Sequence, residues 1–254
     1  GIDNAHCNYD FESYNEVARR LVLLNSNIKV FPYYNTTRRF NIINSGTDFN
    51  DAWYLRDLNG NLVYDDGAPD HQYYDLSNAD YRNWVVNFIS TWVNQAPFAG
   101  IALDDANPQN LQSWKDKIGN TKANAWNAGR VEFVRQVKEA LGSKLVIYNG
   151  VSRNTFTGDA YTEYLDNNSA DGALNEFYCY NRNSGEFLPK SWIAGDTNFM
   201  KDYGETKGKI LLQKVNLNPY LRKHPDAPLP SEAKKIYISR FCLAAFLLLQ
   251  QQFA

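Results

Sequence analysis

The chain has 254 residues, a net charge of -2 and 44% apolar residues. This size and composition fit one large domain or two small ones, and they exclude wholesale disorder. Lys and Arg are not in excess, so we expect no nucleic-acid partner, and no apolar run approaches the ~20 residues of a membrane span, so we expect no membrane partner.

Apolar residues recur with helical and strand periods along the whole chain. In the first half, the predicted elements are a helix over 13–26, a strand over 28–34, a hairpin over 53–65, a strand near 71, a helix from Ser77 onward and a strand over 98–103. In the second half, they are a helix over 122–141 that ends at Gly142, a strand over 145–148, a helix over 158–167, strands over 172–178 and 209–215, and a helix from Ser231 to about 252.

Local signals mark several of these elements. Ser13 with Glu16 has the spacing of a capping box, and Ser77 is expected to cap the next helix together with Asp80. The pair at 59–60 is Asn-Gly, which predicts a tight hairpin turn.

Strands alternate with helices without an internal repeat, which predicts one α/β domain over residues 1–254 with a parallel sheet. A closed TIM (β/α)₈-type barrel and an open doubly wound sheet both fit this order. No Gly-x-Gly-x-x-Gly motif follows a strand, which weakens the nucleotide-binding form of the open sheet. No strand is predicted after the last helix, so we expect a truncated chain, an incomplete barrel or an unusual closure.

Polar residues follow the predicted strands, at the edge where a barrel carries its active site. Tyr33 lies at the first of these strand ends, and the candidate site residues are Tyr34, Asn35, Asp104, Asp105, Asn149, Glu176, Tyr178 and Asn216. Two facing carboxyls are what glycoside hydrolysis needs, one to protonate the leaving oxygen and one to attack the sugar or activate water. The acids could instead be helix caps or loop ligands, and the residues alone leave this open.

The strand period favours Asp104 over Asp105 as the catalytic carboxylate. Asp104 shares a face with Ala102, whereas Asp105 shares the face of Ile101 and Leu103. The bulky face can pack against covering helices, which leaves Asp104 toward the barrel axis.

The composition and the hairpin both fit a sugar ligand. Aromatic residues make up 15% of the chain and Asn occurs 30 times, although a lineage rich in Tyr and Asn would look the same. Trp53 and Arg56 could form a sugar platform and clamp, or could pack the hairpin down. The three cysteines and three histidines lack metal-ligand spacings, so we expect no metal, no cofactor and at most one disulfide. Localisation is left open, with secretion as the favoured alternative.

Four segments resemble the hypothetical glycosyl hydrolase 15 group. Residues 53–63 are similar to its W-x-L-R-D-x-x-G-N-x-V segment, and 100–105 to its G-I-x-L-D-D strand. Residues 148–150 and 171–177 are similar to its x-N-G and D-G-x-x-x-E-x segments. More distantly, the pattern resembles endo-α-1,4-polygalactosaminidase-type barrels.

The resemblance implies a (β/α)₈ barrel that hydrolyses a polysaccharide or oligosaccharide. It also implies that Asp104 is the nucleophile or base and that Glu176 is the general acid. Two alternatives remain, namely a non-catalytic carbohydrate-binding barrel and a lyase or isomerase acting on a sugar. The latter needs a lysine or a metal at the barrel mouth, and Lys214 is the lysine placed for it.

Overall fold

The computed structural model describes residues 11–38, 50–65, 68–106, 111–151, 161–175, 178–181, 186–214 and 231–251. The chain divides into two compact units, residues 1–147 and 148–254. Two of the predicted site residues, Glu176 and Asn216, lie outside the described residues.

The first unit alternates parallel strands with helices. Its elements are α1 (Phe11–Leu24), β1 (Tyr33–Asn35), a 3₁₀ turn (Asp51–Trp53), β2 (Tyr64–Asp65), β3 (Ala68–Gln72), α2 (Ala79–Asn94), β4 (Gly100–Asp104), α3 (Leu111–Ile118), α4 (Asn120–Leu141) and the start of β5 (Leu145–Asn149). The strand order is β1–β4–β5. Strands β1 and β4 are parallel, with Asn35 opposite Asp104, so both strands end at the same edge.

Helix α2 forms because one face of it is apolar. Tyr81, Val85, Ile89 and Val93 recur at helical spacing and are buried. The cap differs from the predicted one: the Asn78 side chain accepts hydrogen bonds from the backbone N–H groups of residues 80 and 81. Ser77 does not cap because its hydroxyl donates to Asp75 at 2.5 Å.

Three other boundaries differ from the sequence prediction. The strand expected near 71 is β3, which pairs antiparallel with β2 in a separate two-stranded ribbon. Strand β1 is shorter than predicted, since Pro32 has no N–H to donate to the ladder. Helix α1 begins at Phe11, which places Ser13 inside the helix rather than at its cap.

In the second unit, β5 ends and is followed by α5 (Glu163–Asp166), β6 (Gly172–Asn175), β7 (Tyr180–Asn181), β8 (Glu186–Phe187), α6 (Lys190–Phe199), a π-helical segment (Met200–Thr206), β9 (Ile210–Gln213) and α7 (Glu232–Gln251). The strand order is β5–β6–β9, and β6 and β9 are parallel, with Asn175 opposite Gln213. Strands β7 and β8 form a small antiparallel pair.

These elements confirm the predicted α/β fold, in which parallel strands alternate with helices. No helix within the described ranges is long and apolar enough to cross a bilayer.

Candidate active site

The two adjacent acids at the end of β4 face different surroundings. Along the strand, Ile101 and Leu103 are fully buried while Ala102 and Asp104 are half-buried, which is the alternation expected of a strand. Asp105 then adopts a left-handed backbone conformation, with φ of 52°. This conformation is uncommon for a residue other than glycine, and it turns the chain out of the strand. The Asp105 side chain therefore leaves the line of the β4 faces.

Hydrogen bonds from β1 and from the adjacent backbone hold the Asp104 carboxylate. The Tyr33 hydroxyl, on β1, donates to its Oδ2, and the backbone N–H of Asp105 donates to its Oδ1 at 2.8 Å. Desolvation and the neighbouring Asp104 charge raise the pKa of Tyr33 above its ordinary value, so this hydroxyl stays protonated and able to donate.

Asp105 is fixed by the residues that follow β1. Its Oδ2 accepts a hydrogen bond from the Asn35 side chain at 2.6 Å and another from the Arg38 guanidinium. Asn35 is itself locked, because its Oδ1 accepts the backbone N–H groups of Thr37 at 3.1 Å and Arg38 at 2.8 Å. Asn35 was predicted to bind substrate. It is instead buried, and both its amide nitrogen and its amide oxygen make hydrogen bonds within the protein.

The Arg38 side chain links Asp105 to strand β2. One guanidinium nitrogen contacts Asp105 and another contacts Asp65 of β2. Burial alone would lower the pKa of Arg38, but the negative charge of Asp105, with smaller contributions from Tyr73 and Asp65, raises it above its usual value. Arg38 therefore remains a cation between two acids. We call Asn35, Arg38, Asp65 and Asp105 the Arg38 cluster.

A second arginine supports the segment after the two acids. Arg130 of α4 is buried and donates from its guanidinium to the carbonyl oxygen of Ala106 at 2.7 Å. Helix α4 thus fixes the backbone directly after Asp105. Charged donors to a backbone carbonyl are among the stronger hydrogen bonds in proteins.

The other predicted residues of the first unit make packing contacts. The Tyr34 ring is only 4% exposed, and its hydroxyl lies 3.2 Å from that of Tyr81, which places it in the core. Trp53 packs against Trp84 of α2 at 5.2 Å between ring centroids. Arg56 is exposed and donates to the carbonyl of Gly60 at 2.9 Å across the turn of the hairpin.

In the second unit, Asn149 is the half-buried last residue of β5, and Tyr178 is buried. The strand that leads to Glu176 is well anchored. The carbonyl of its last described residue, Asn175, accepts from the backbone N–H of Lys214 at 2.9 Å. The Asn175 side chain donates to the buried Asp196 of α6 at 3.1 Å. Residues immediately before the predicted general acid are therefore held from two sides.

An open pocket of about 620 Å³ lies over α5. Its acids are engaged: Glu163 accepts from the Tyr161 hydroxyl, and Asp166 accepts from Thr162 at 2.7 Å and from Tyr203 at 2.7 Å. These hydrogen bonds explain the acids of the pocket as structural residues, so the pocket is not a candidate active site. No three His, Cys, Asp or Glu side chains in the described part of the chain are grouped as ligands for a metal ion.

Tyr33 was predicted from the sequence to lie at the end of the first strand, without the role of a partner for Asp104. Arg38 and Asp65 were not predicted as site residues. Arg38 lies in a turn and has no periodic signal. The only signal for it in the sequence is the pair of adjacent acids, Asp104 and Asp105, whose charges favour a nearby cation.

Parallel strands alternate with helices in the described part of the chain, two acids end β4, and the family match makes this a glycoside hydrolase-like domain. The chain belongs to the hypothetical glycosyl hydrolase family 15, whose sequence profile matches residues 22–254. No curated protein has a significantly similar sequence.

Solved structures of carbohydrate-active proteins are similar to this chain. A Paenibacillus sp. cycloisomaltooligosaccharide glucanotransferase bound to cycloisomaltoheptaose has a TM-score of 0.54 and 16% identity, over 80% of this chain and 29% of that one. The PelA glycoside hydrolase domain of Pseudomonas aeruginosa has a TM-score of 0.46 and 15% identity, over 74% and 68% of the two chains. Aspergillus fumigatus Ega3, in complex with galactosamine, has a TM-score of 0.47 and 14% identity, over 88% and 72%. At these identities the similarity concerns the fold.

Proposed function

We propose that this protein is a glycosidase that cleaves a polysaccharide or oligosaccharide, with Asp104 as nucleophile or base and Glu176 as general acid. The observation that carries the proposal is the Asp104 carboxylate. It lies at the end of a parallel strand, on the less buried face, and accepts hydrogen bonds from a protonated tyrosine and a backbone N–H. Membership of a glycosyl hydrolase family supports the reaction class.

The contacts of Asp104 suit the role of an oriented anion. Hydrogen bonds to a carboxylate favour its charged form. The Asp104 carboxylate would attack the anomeric carbon in a retaining reaction, or activate a water molecule in an inverting one. In both cases Glu176 would protonate the leaving oxygen.

Asp105 takes a different role in this proposal. Two adjacent carboxylates repel each other, and the Arg38 guanidinium compensates the charge of Asp105. Asp105 is then a positioning residue, and its backbone N–H is what touches Asp104.

The predicted substrate-binding residues separate into two groups. Asn149 and Asn216 remain proposals as amide partners of sugar hydroxyls, and Trp53 and Arg56 remain proposals as a platform and clamp. We assign Tyr34 and Tyr178 to packing, because both rings are buried.

The test compares the wild-type chain with Asp104→Asn and Glu176→Gln on a panel of neutral, amino and acidic polysaccharides. The readout is release of reducing ends. The matched control is Glu139→Gln, an exposed carboxyl of α4 that pairs with Arg135. We expect either site variant to lose roughly a thousandfold or more of the activity and the control to keep it. Unchanged activity in either site variant would overturn the assignment.

A non-catalytic carbohydrate-binding role is the second candidate. It is favoured by the fact that both Asp104 oxygens already accept a hydrogen bond, as expected of a fixed acceptor. Binding on a glycan array without turnover of the bound glycan, lost in Asp104→Asn, would support this role over the first.

A further inference from the structure

Two thiols from distant parts of the chain meet in the core of the second unit. Cys179 lies directly before β7, and Cys242 lies in α7. Both are buried and neither is in a disulfide in this structure. They share one cluster of buried residues: Tyr178, Cys179, Tyr180, Ile238 and Cys242. The terminal helix therefore places a thiol against the strand region.

The backbone on both sides holds the two thiols in place. Cys179 has a φ of 61°, and its carbonyl accepts the N–H of Leu188 at 2.9 Å. The N–H of Tyr178 donates to the carbonyl of Lys214 at 3.2 Å, which ties the same segment to the end of β9. On α7, Cys242 follows Ile238 by one helical turn, so both point to the same core.

The two thiols are not equivalent. The Cys242 thiol hydrogen-bonds to the Cys179 sulfur, and this contact lowers the pKa of Cys179. The same contact, together with burial, raises the pKa of Cys242. Cys179 is thus the thiol that ionises more readily, and the thiolate is the form of cysteine that attacks a disulfide.

We propose that Cys179 and Cys242 form a disulfide in an oxidising environment and so clip α7 to the segment before β7. The oxidant is a low-molecular-weight disulfide such as oxidised glutathione. The Cys179 thiolate attacks one of its sulfurs and releases one glutathione thiolate. Cys242 then attacks the Cys179 sulfur of the mixed disulfide and releases the second glutathione, and the two thiol protons pass to the released thiolates. Two protein thiols are oxidised and one glutathione disulfide is reduced.

The clip has a structural consequence for α7. Several apolar side chains of this helix point outward, among them Ile236, Tyr237 and Leu243. Among the side chains of α7 up to residue 244, the buried ones form a stripe of Ile238 and Cys242, and Tyr237 and Phe241 contact Phe187 beside it. A covalent bond within that stripe would hold α7 during local opening, which is also when the oxidant can reach the thiols.

The chemical test uses the full chain with Cys7→Ser, so that only one pair is available. The protein is incubated with a mixture of oxidised and reduced glutathione, free thiols are alkylated in denaturant, and the chain is digested with trypsin without reduction. Peptide 154–182 should then be found linked to peptide 241–254, which carry the two cysteines. Alkylation of both peptides as free thiols would overturn the proposal. In the wild-type chain, peptide 1–19 linked to either of them in preference would overturn it as well.

The second test compares the stability of the oxidised and reduced forms of the same protein. Oxidised Cys7→Ser protein should melt about 5–15 °C higher than the same protein with reductant, because the bond closes a long loop. The double variant Cys179→Ser with Cys242→Ser serves as the control and should show no response to reductant. An oxidised protein that melts at the same temperature with and without reductant would contradict a clip.

Discussion

The Tyr33 hydroxyl on β1 donates a hydrogen bond to the Asp104 carboxylate on the neighbouring parallel strand. In the register of these strands, Tyr33 lies opposite Ala102, so it shares the face that carries Asp104. The two side chains meet at the strand ends, at the edge where barrel enzymes carry their catalytic groups. The tyrosine therefore helps to orient the proposed reacting carboxylate.

Tyr33→Phe should lower kcat by about 10–100-fold with a smaller change in KM. A hydrogen bond to a charged group contributes about 1.5–3 kcal/mol, and its loss frees the Asp104 carboxylate to rotate. Steady-state kinetics on a substrate found in the panel checks this. Tyr237→Phe, at an exposed position of α7, is the matched control and should leave kcat unchanged. Equal kcat in Tyr33→Phe and wild type would contradict an orienting role for the hydroxyl.

Arg38→Met should destabilise the protein by about 2–4 kcal/mol, because it leaves two partly buried carboxylates without their cation. The melting temperature should fall by about 4–16 °C. The same substitution at Arg20, whose pair with Glu16 is exposed, should change stability by less than about 0.5 kcal/mol. Scanning calorimetry of the two variants compares them directly, and similar losses in both would mean that the Arg38 cluster is no stronger than a surface pair.

Stability should decrease as the pH rises above about 10. The pKa of an unfolded tyrosine is near 10, whereas burial raises the pKa of Tyr34 and Tyr81 in the folded chain. Above pH 10 the unfolded chain releases protons that the folded chain retains, so the free energy of unfolding falls as the pH rises. Below pH 10 the contribution of these tyrosines to stability is fully present. Urea unfolding between pH 8 and pH 11 measures the slope. Tyr34→Phe should make it shallower and Tyr237→Phe should not, and a flat profile in the wild type would refute the prediction.

Gly100→Ala should prevent normal packing of β4 against β5. A Cβ at Gly100 would lie 1.8 Å from the carbonyl oxygen of Leu145, so one strand would have to move. We expect a loss of about 3 kcal/mol or more, seen as a large drop in melting temperature or as insoluble protein. Gly60→Ala is the contrast, because Gly60 has a φ of 84° and open space around it. It should lose only about 1–2 kcal/mol, from backbone strain. A milder effect at Gly100 than at Gly60 would be inconsistent with this packing.

The elements that the sequence predicted well are those with an apolar stripe. Helix α2 and strand β4 were found because their buried residues recur with the helical and strand periods. Helix α6 was missed for the opposite reason: its buried residue is Asp196, an acid, and no apolar stripe marks the helix. Apolar periodicity indicates which face of an element packs in the core. An element that is buried through a polar contact has no such periodicity in its sequence.

The candidate site divides in the same way. Asp104 and Asp105 were found from their position after a buried run, and their different faces followed from the strand period. The Arg38 cluster could not be predicted, because it depends on a left-handed residue at Asp105 and on a turn after β1 that brings Arg38 between two acids. Such tertiary contacts are set by where loops cross and not by any spacing along the chain.

Kinetics and melting of Asp104→Asn and Asp105→Asn, measured on one substrate of the wild-type protein, distinguish the roles of the two acids. Asp104→Asn should lose roughly a thousandfold or more in kcat while it melts within a few degrees of the wild type. Asp105→Asn should instead melt lower, because Arg38 loses a partner, and should keep more activity than Asp104→Asn. Activity of Asp104→Asn within tenfold of the wild type, or a larger loss in Asp105→Asn, would contradict the assignment of Asp104 as the reacting carboxylate.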